Sequence, residues 1–236
     1  MVKLMILGRR APGITRAKAQ YHLMHVHGRL VLLPPADAGA MPCDYAQNHV
    51  IDGTYPAQGA HAIERDLLTE IWFDDMPSLQ ASTSTPYYLA NLKPDEPRFV
   101  DDASVVKMLV RPEILVDGPK GVVKIFTVVG LTDAGLNDVA KAVDRIGTHL
   151  ARASGSGALV VNTVLPPPDG RPPFAHLIFE SWSITEVDAR GLADVATTFG
   201  DDLADLIDPD RSLSLLAEEF TAGRLKALFE HGAGAA

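Results

Sequence analysis

One order of elements, met twice, constrains this chain more than any other feature. Val2–Gly8 (VKLMILG) and Val122–Gly130 (VVKIFTVVG) are short β-type runs, each ended by glycine. Each leads to a threonine placed to cap a helix, Thr15 before RAKAQYHLMHVHG and Thr132 before DAGLNDVAKAVDRIGTHLA. A threonine hydroxyl there accepts from one of the unpaired amides of a helix start. Further β-type runs follow at Tyr45–Asp52 and Ala158–Leu165, then at 67–75 (LLTEIWFDD) and 175–185 (AHLIFESWSIT). The last two both carry Glu-x-Trp, Glu70/Trp72 and Glu180/Trp182, 110 positions apart. Helix candidates at Pro77–Ala90 and Glu186–Phe199, and closing apolar runs at Ser104–Leu109 and Ser212–Leu216, complete β-α-β-β-α-β in each half. The predicted fold is therefore α+β: tandem ferredoxin-like βαββαβ units, at 1–112 and 121–230, joined through the Pro- and Gly-rich stretch 111–121. The two helices of such a unit cover one face of its sheet and leave the other bare. The expectation is that the halves, as an internal duplication, close sheet against sheet into an α+β barrel around a cavity.

Composition bounds the function. The 236 residues are 47% hydrophobic and 22% charged, enough apolar material for a packed core. A net charge of −9 argues against a nucleic-acid partner. One cysteine, Cys43, excludes an internal disulfide framework and a multi-cysteine zinc site. No run of eighteen apolar residues exists and no cleavage signal follows the N-terminal strand, so the reading is cytoplasmic, with no membrane partner. Leu32–Pro42 and Pro166–Pro173 read as loops, Ala153–Gly157 as a flexible connector, and His231–Ala236 as a frayed tail.

The first half resembles the EthD-domain family of the dimeric α+β barrel superfamily. The segment KLMILGRRAPGITRAKAQYHLMHVHGRLV at 3–31 carries the strand, the basic-Pro-Gly turn, the capped helix and the His27-Gly28-Arg29-Leu30 end. The blocks Tyr45-Ala-Gln47-Asn48-His49, Glu70-Ile-Trp72-Phe73-Asp74 and Asp95-Glu96-Pro-Arg-Phe99-Val-Asp101 follow. The resemblance covers roughly 3–110. It departs from the family pattern at His22-Leu23, where an aromatic pair is usual, and at Arg29, where proline is usual. The second half lacks the His-Gly and Tyr-x-Gln-Asn-His blocks. The superfamily includes cofactor-independent monooxygenases, lactone isomerases, polyketide cyclases, decarboxylases and haem-handling proteins, and fold does not choose among them.

Five of eight histidines lie early: His22, His25, His27, His49 and His61. Histidine suits proton transfer near neutrality. His25 and His27 fall on different sides of a helix, and His22 and His25 could share a side, though no carboxylate sits at matching spacing. A metal site is not expected. His27 is either a helix-end cation or a catalytic group, the latter favoured by the resemblance. Strand alternation puts Tyr45, Gln47 and His49 on one face, a lined cavity or a solvated edge. Glu70 and Trp72 are expected to point between the sheets, where a carboxylate beside an indole would have a raised pKa. Cys43 reads as an inert thiol.

Three functional readings follow. The first is an enzyme needing no cofactor. It would run proton-transfer chemistry (cyclisation, isomerisation, dehydration or decarboxylation) on a small aromatic, polyketide-like or lactone ligand. His27 and His49 would be its acid/base groups, Glu70 the orienter, and Tyr45, Gln47 and Trp72 the substrate contacts. The second is a non-catalytic binding or accessory protein, and the third a haem- or oxygen-handling protein. Whether two chains pair as a homodimer is left open.

Overall fold

The computed structural model describes residues 1–154, 157–183 and 203–232. Among these the chain is mixed α and β with antiparallel strand pairing, as the periodicity predicts. It divides into two compact units. The first holds Met1–His49, Arg65–Lys107 and Glu219–Ala236; the second holds Val50–Glu64 and Met108–Glu218.

In the first unit, β1 (Val2–Gly8), β2 (Asp44–Thr54) and β3 (Leu67–Phe73) pair in the order β1-β3-β2. Val2 faces Phe73 and Gly8 faces Leu67, while Asp44 faces Trp72 and His49 faces Leu67. Thr15 caps α1 (Arg16–His22) as predicted, its side chain accepting from the Lys18 amide. The helix does not end near His27. It passes through a π-helical turn (Leu23–His27) into α2 (Gly28–Leu32). Its start is pinned by Asp66, a fully buried carboxylate that accepts from the Arg10 amide at 2.8 Å and from Arg16 Nε at 2.7 Å. The second helix candidate is split into α3 (Met76–Ser82), capped by Asp75, and a π-helical turn at Tyr88–Leu92.

In the second unit the order is β8-β5-β7-β6-β4. The strands are β4 (Val106–Val116), β5 (Val123–Leu131), β6 (Leu159–Val164), β7 (Leu177–Ser183) and β8 (Ile207–Thr221). The supposed linker is mostly strand, because β4 continues to Val116 and places Pro112 opposite Asn162. Thr132 caps α4 (Asp133–Asn137), again as predicted, and α5 (Val139–Ser154) follows. Ala142, Ile146 and Leu150, four apart on α5, bury one stripe among Leu159, Val161, Leu177 and Phe179. Each buried isoleucine or leucine of this stripe contributes about 1.5–3 kcal/mol. The helix candidate Glu186–Phe199 and the tail 233–236 lie outside the described residues. After β8 the chain enters α6 (Ala222–Gly232), which includes His231.

The Glu-x-Trp motifs mark the same construction in both units. Lys3 Nζ lies 2.6 Å from Glu70 Oε2, and Asn48 Nδ2 donates to Glu70 Oε1 at 2.9 Å and to the Leu68 carbonyl at 3.3 Å. Lys124 Nζ lies 2.6 Å from Glu180 Oε2, and Asn162 Nδ2 donates to Glu180 Oε1 at 2.6 Å and to the Ile178 carbonyl at 3.1 Å. Each ammonium stands over its own tryptophan, Lys3 at 5.1 Å from the Trp72 ring and Lys124 at 4.5 Å from the Trp182 ring. All four charged groups are at least 96% buried, so each needs its partner.

Candidate functional site

The register sorts the residues singled out from the sequence. Ala46 pairs with Glu70 and Asp44 with Trp72, so Glu70 and Trp72 share the face of Asn48 and Lys3. Tyr45, Gln47 and His49 lie on the opposite face of β2. The structure therefore brings Glu70 to Lys3 and Asn48, on the face away from Tyr45, Gln47 and His49. Glu70 is committed to the buried ion pair.

On the helix side the π-helical turn does what a plain α-helix would not. Its i→i+5 bonds bring residues five apart over one another. His22 and His27 thereby reach the same carboxylate, that of Asp95. His22 Nε2 lies 2.9 Å from Asp95 Oδ1, and His27 Nδ1 lies 3.0 Å from Oδ2. Burial opposes the charge on Asp95, yet the hydrogen bonds from His27 and His22 hold its carboxyl below the ordinary range. Ionised, it only accepts, so both imidazoles donate to it. His27 is then fixed with Nε2 facing away from the carboxylate. Phe99 packs against both rings, at 5.4 Å from His22 and 4.9 Å from His27. The sequence pointed to His27 and missed Asp95, which sits 68 residues away but within a block of the resemblance. His25 turns to the other side and packs on Tyr21.

Gln47 joins this turn to β2. Its Nε2 donates to the Leu23 carbonyl at 2.8 Å and to Tyr45 Oη at 3.1 Å, and its Oε1 lies 3.1 Å from His49 Nε2. The Leu23 carbonyl also accepts the Gly28 amide, closing the turn. A Cβ on Gly28 would stand 2.8 Å from Gln47 Nε2 and 3.1 Å from the Leu23 oxygen, so glycine is what lets the amide reach the helix backbone. Burial raises the Tyr45 hydroxyl well above an ordinary phenol and keeps it neutral. Burial, then the Arg224 and His25 charges, lower His49 to about 4, so this imidazole is neutral at pH 7. Among the described residues no group of three or more His, Cys, Asp and Glu is placed to hold a metal ion.

Among the described residues, the second unit lacks this polar seam. One residue before each β-strand asparagine stands Gln47 in the first unit and Val161 in the second; three before, Tyr45 and Leu159; one after, His49 and Thr163. The corresponding helix face there is aliphatic.

Known proteins match the whole chain in fold and its first half in sequence. No curated protein matches the chain significantly. In fold it is similar to many solved structures, three of which follow. An anthrone oxidase-like protein gives a TM-score of 0.60 at 13% identity, covering 94% of this chain and 93% of that one. A candidate monooxygenase of Fusobacterium nucleatum subsp. nucleatum gives 0.57 at 7%, covering 92% and 91%. A candidate chlorite dismutase gives 0.53 at 7%, covering 96% and 98%. The EthD domain model matches residues 11–103, the stretch that holds His22, His27, Gln47, His49 and Asp95.

Proposed function

We propose that this chain is an enzyme acting by proton transfer on a small aromatic ketone or related polyketide-like substrate, with His27 as the base. The carrying observation is the clamp of two imidazoles on Asp95. A carboxylate that fixes Nδ1–H of an imidazole orients the ring and stabilises the imidazolium formed when Nε2 takes a proton. Gln47 and Gly28 both bond the Leu23 carbonyl of the π-helical turn that carries that imidazole. Glu70 and Trp72 belong to the scaffold in this reading, and Tyr45 keeps Gln47 aligned. The fold similarity to an anthrone oxidase-like protein supports the substrate class, because the methylene of such a ketone is acidified by the carbonyl and the flanking rings.

The test is exchange of the methylene protons of anthrone in D2O, under argon, followed by NMR. The native protein accelerates exchange, and His27→Ala and Asp95→Asn each lose about 10²–10⁴-fold of that acceleration. Anthrone that binds but exchanges no faster with the native protein leaves the binding-protein reading instead. A Soret band in the purified protein would favour the haem reading.

A further inference from the structure

We propose that Asp117 is a site of spontaneous covalent modification, isomerising to isoaspartate through attack by the Gly118 amide. The inference stands apart from the proton-transfer reading and needs no substrate.

The chain has three Asp-Gly pairs, at 52–53, 117–118 and 169–170. The chemistry open to each is the same. The glycine nitrogen attacks the side-chain carboxyl carbon, a C–N bond forms, and the carboxyl hydroxyl leaves as water with the amide proton. Water then opens the five-membered imide at the original main-chain carbonyl. The chain now runs through the side-chain carbon and is longer by one methylene. One water leaves and one enters, and nothing is oxidised or reduced. Glycine favours the attack because no Cβ screens its nitrogen.

All three aspartates are exposed, so solvent access does not separate them. Hydrogen bonding does. The Gly53 amide donates to Asp52 Oδ1 at 2.8 Å within β2, which puts the hydrogen between the nitrogen and the carboxyl group. At 169–170 both reacting groups are held. The Gly170 amide donates to the Pro167 carbonyl at 3.1 Å, and Asp169 accepts from the Arg171 amide at 3.2 Å and from Arg171 Nε at 2.6 Å. Those bonds hold the Asp169 carboxyl below the ordinary carboxylate range, and the cyclisation needs the neutral acid, whose hydroxyl can leave. Asp117 and Gly118 come directly after β4, and among the described residues no hydrogen bond holds the Asp117 carboxyl or the Gly118 amide. The product also fits there. Val116, opposite Leu159, ends the pairing of β4, so the added methylene falls just beyond the ladder. At Asp52 it would fall inside β2.

The experiment stores the purified chain warm at mildly acidic pH, with and without denaturant. Isoaspartate at each pair is read by mass spectrometry with electron-transfer fragmentation. The native chain accumulates it several-fold faster at 117 than at 52 or 169. In denaturant the three rates draw together, because the hydrogen bonds that set them apart are gone. Gly118→Ala, at a glycine without a positive φ, slows the native reaction at 117 several-fold and leaves the other two pairs unchanged. No isoaspartate at 117 in the native chain, a native rate at 52 or 169 that equals it, or a preference for 117 that persists undiminished in denaturant overturns the proposal.

Discussion

The two units solve one problem in the same way and another in opposite ways. Both bury a lysine against a glutamate, bridge that glutamate with an asparagine and lay the ammonium on a tryptophan. Where each sheet meets its helix, the first unit places Tyr45, Gln47 and His49, and the second places Leu159, Val161 and Thr163. A feature repeated in both halves needs only a structural explanation. A polar interior carried by one half, at a cost in desolvation, calls for a function. The comparison thus acts as an internal control: Glu70 belongs to the construction that both units share, and Gln47 and His49 to the one that they do not.

The control can be broken most directly at the ion pairs. Glu70→Leu and Glu180→Leu each strand a buried ammonium, and each should cost about 3–5 kcal/mol in chemical denaturation. Activity per folded molecule should survive both. A Glu70 variant that stays stable and loses activity would restore the catalytic role.

A smaller effect sharpens the other side of the comparison. The folded protein keeps His49 neutral down to about pH 4, whereas the unfolded chain protonates it near 6.5. Between those values the unfolded state binds more protons, so stability falls as pH is lowered through the window. The shift corresponds to on the order of 3 kcal/mol. His49→Gln should flatten that part of the stability–pH curve, and an unchanged slope would place the titration elsewhere.

The smallest contrast compares two helix glycines. Gly28→Ala presses on Gln47 Nε2 and the Leu23 oxygen, both fixed by hydrogen bonds, and should lose about 1 kcal/mol together with part of the activity. Gly147→Ala meets the tip of the Leu115 side chain at 2.8 Å, which can swing aside. Helix propensity should then make it neutral or stabilising by up to about 1 kcal/mol. Thermal melts of the two variants side by side decide the point.

The strands, both threonine caps and the paired Glu-x-Trp motifs were legible because they rest on local periodicity and capping chemistry. The faces of β2 were legible too, since alternation alone separates Gln47 from Asn48. What residue spacing hid was the partner of each face. Nothing in the chain announces that Lys3 would neutralise Glu70, because that depends on strand register. Nor could a 3.6-residue period show His22 and His27 on one side, because the π-helical turn changes the local count. Asp95 was visible in the sequence as part of a motif and invisible as a ligand of histidine.

That turn has a consequence for how such sites are recognised. Two residues five apart across it stand as two residues four apart stand on an ordinary helix. A relative lacking one amino acid there would keep the same imidazole pair on the same carboxylate. What persists in such a site is the shared side of the rod, while the number of letters between the histidines is free to drift, so a fixed-interval pattern would miss its own kin.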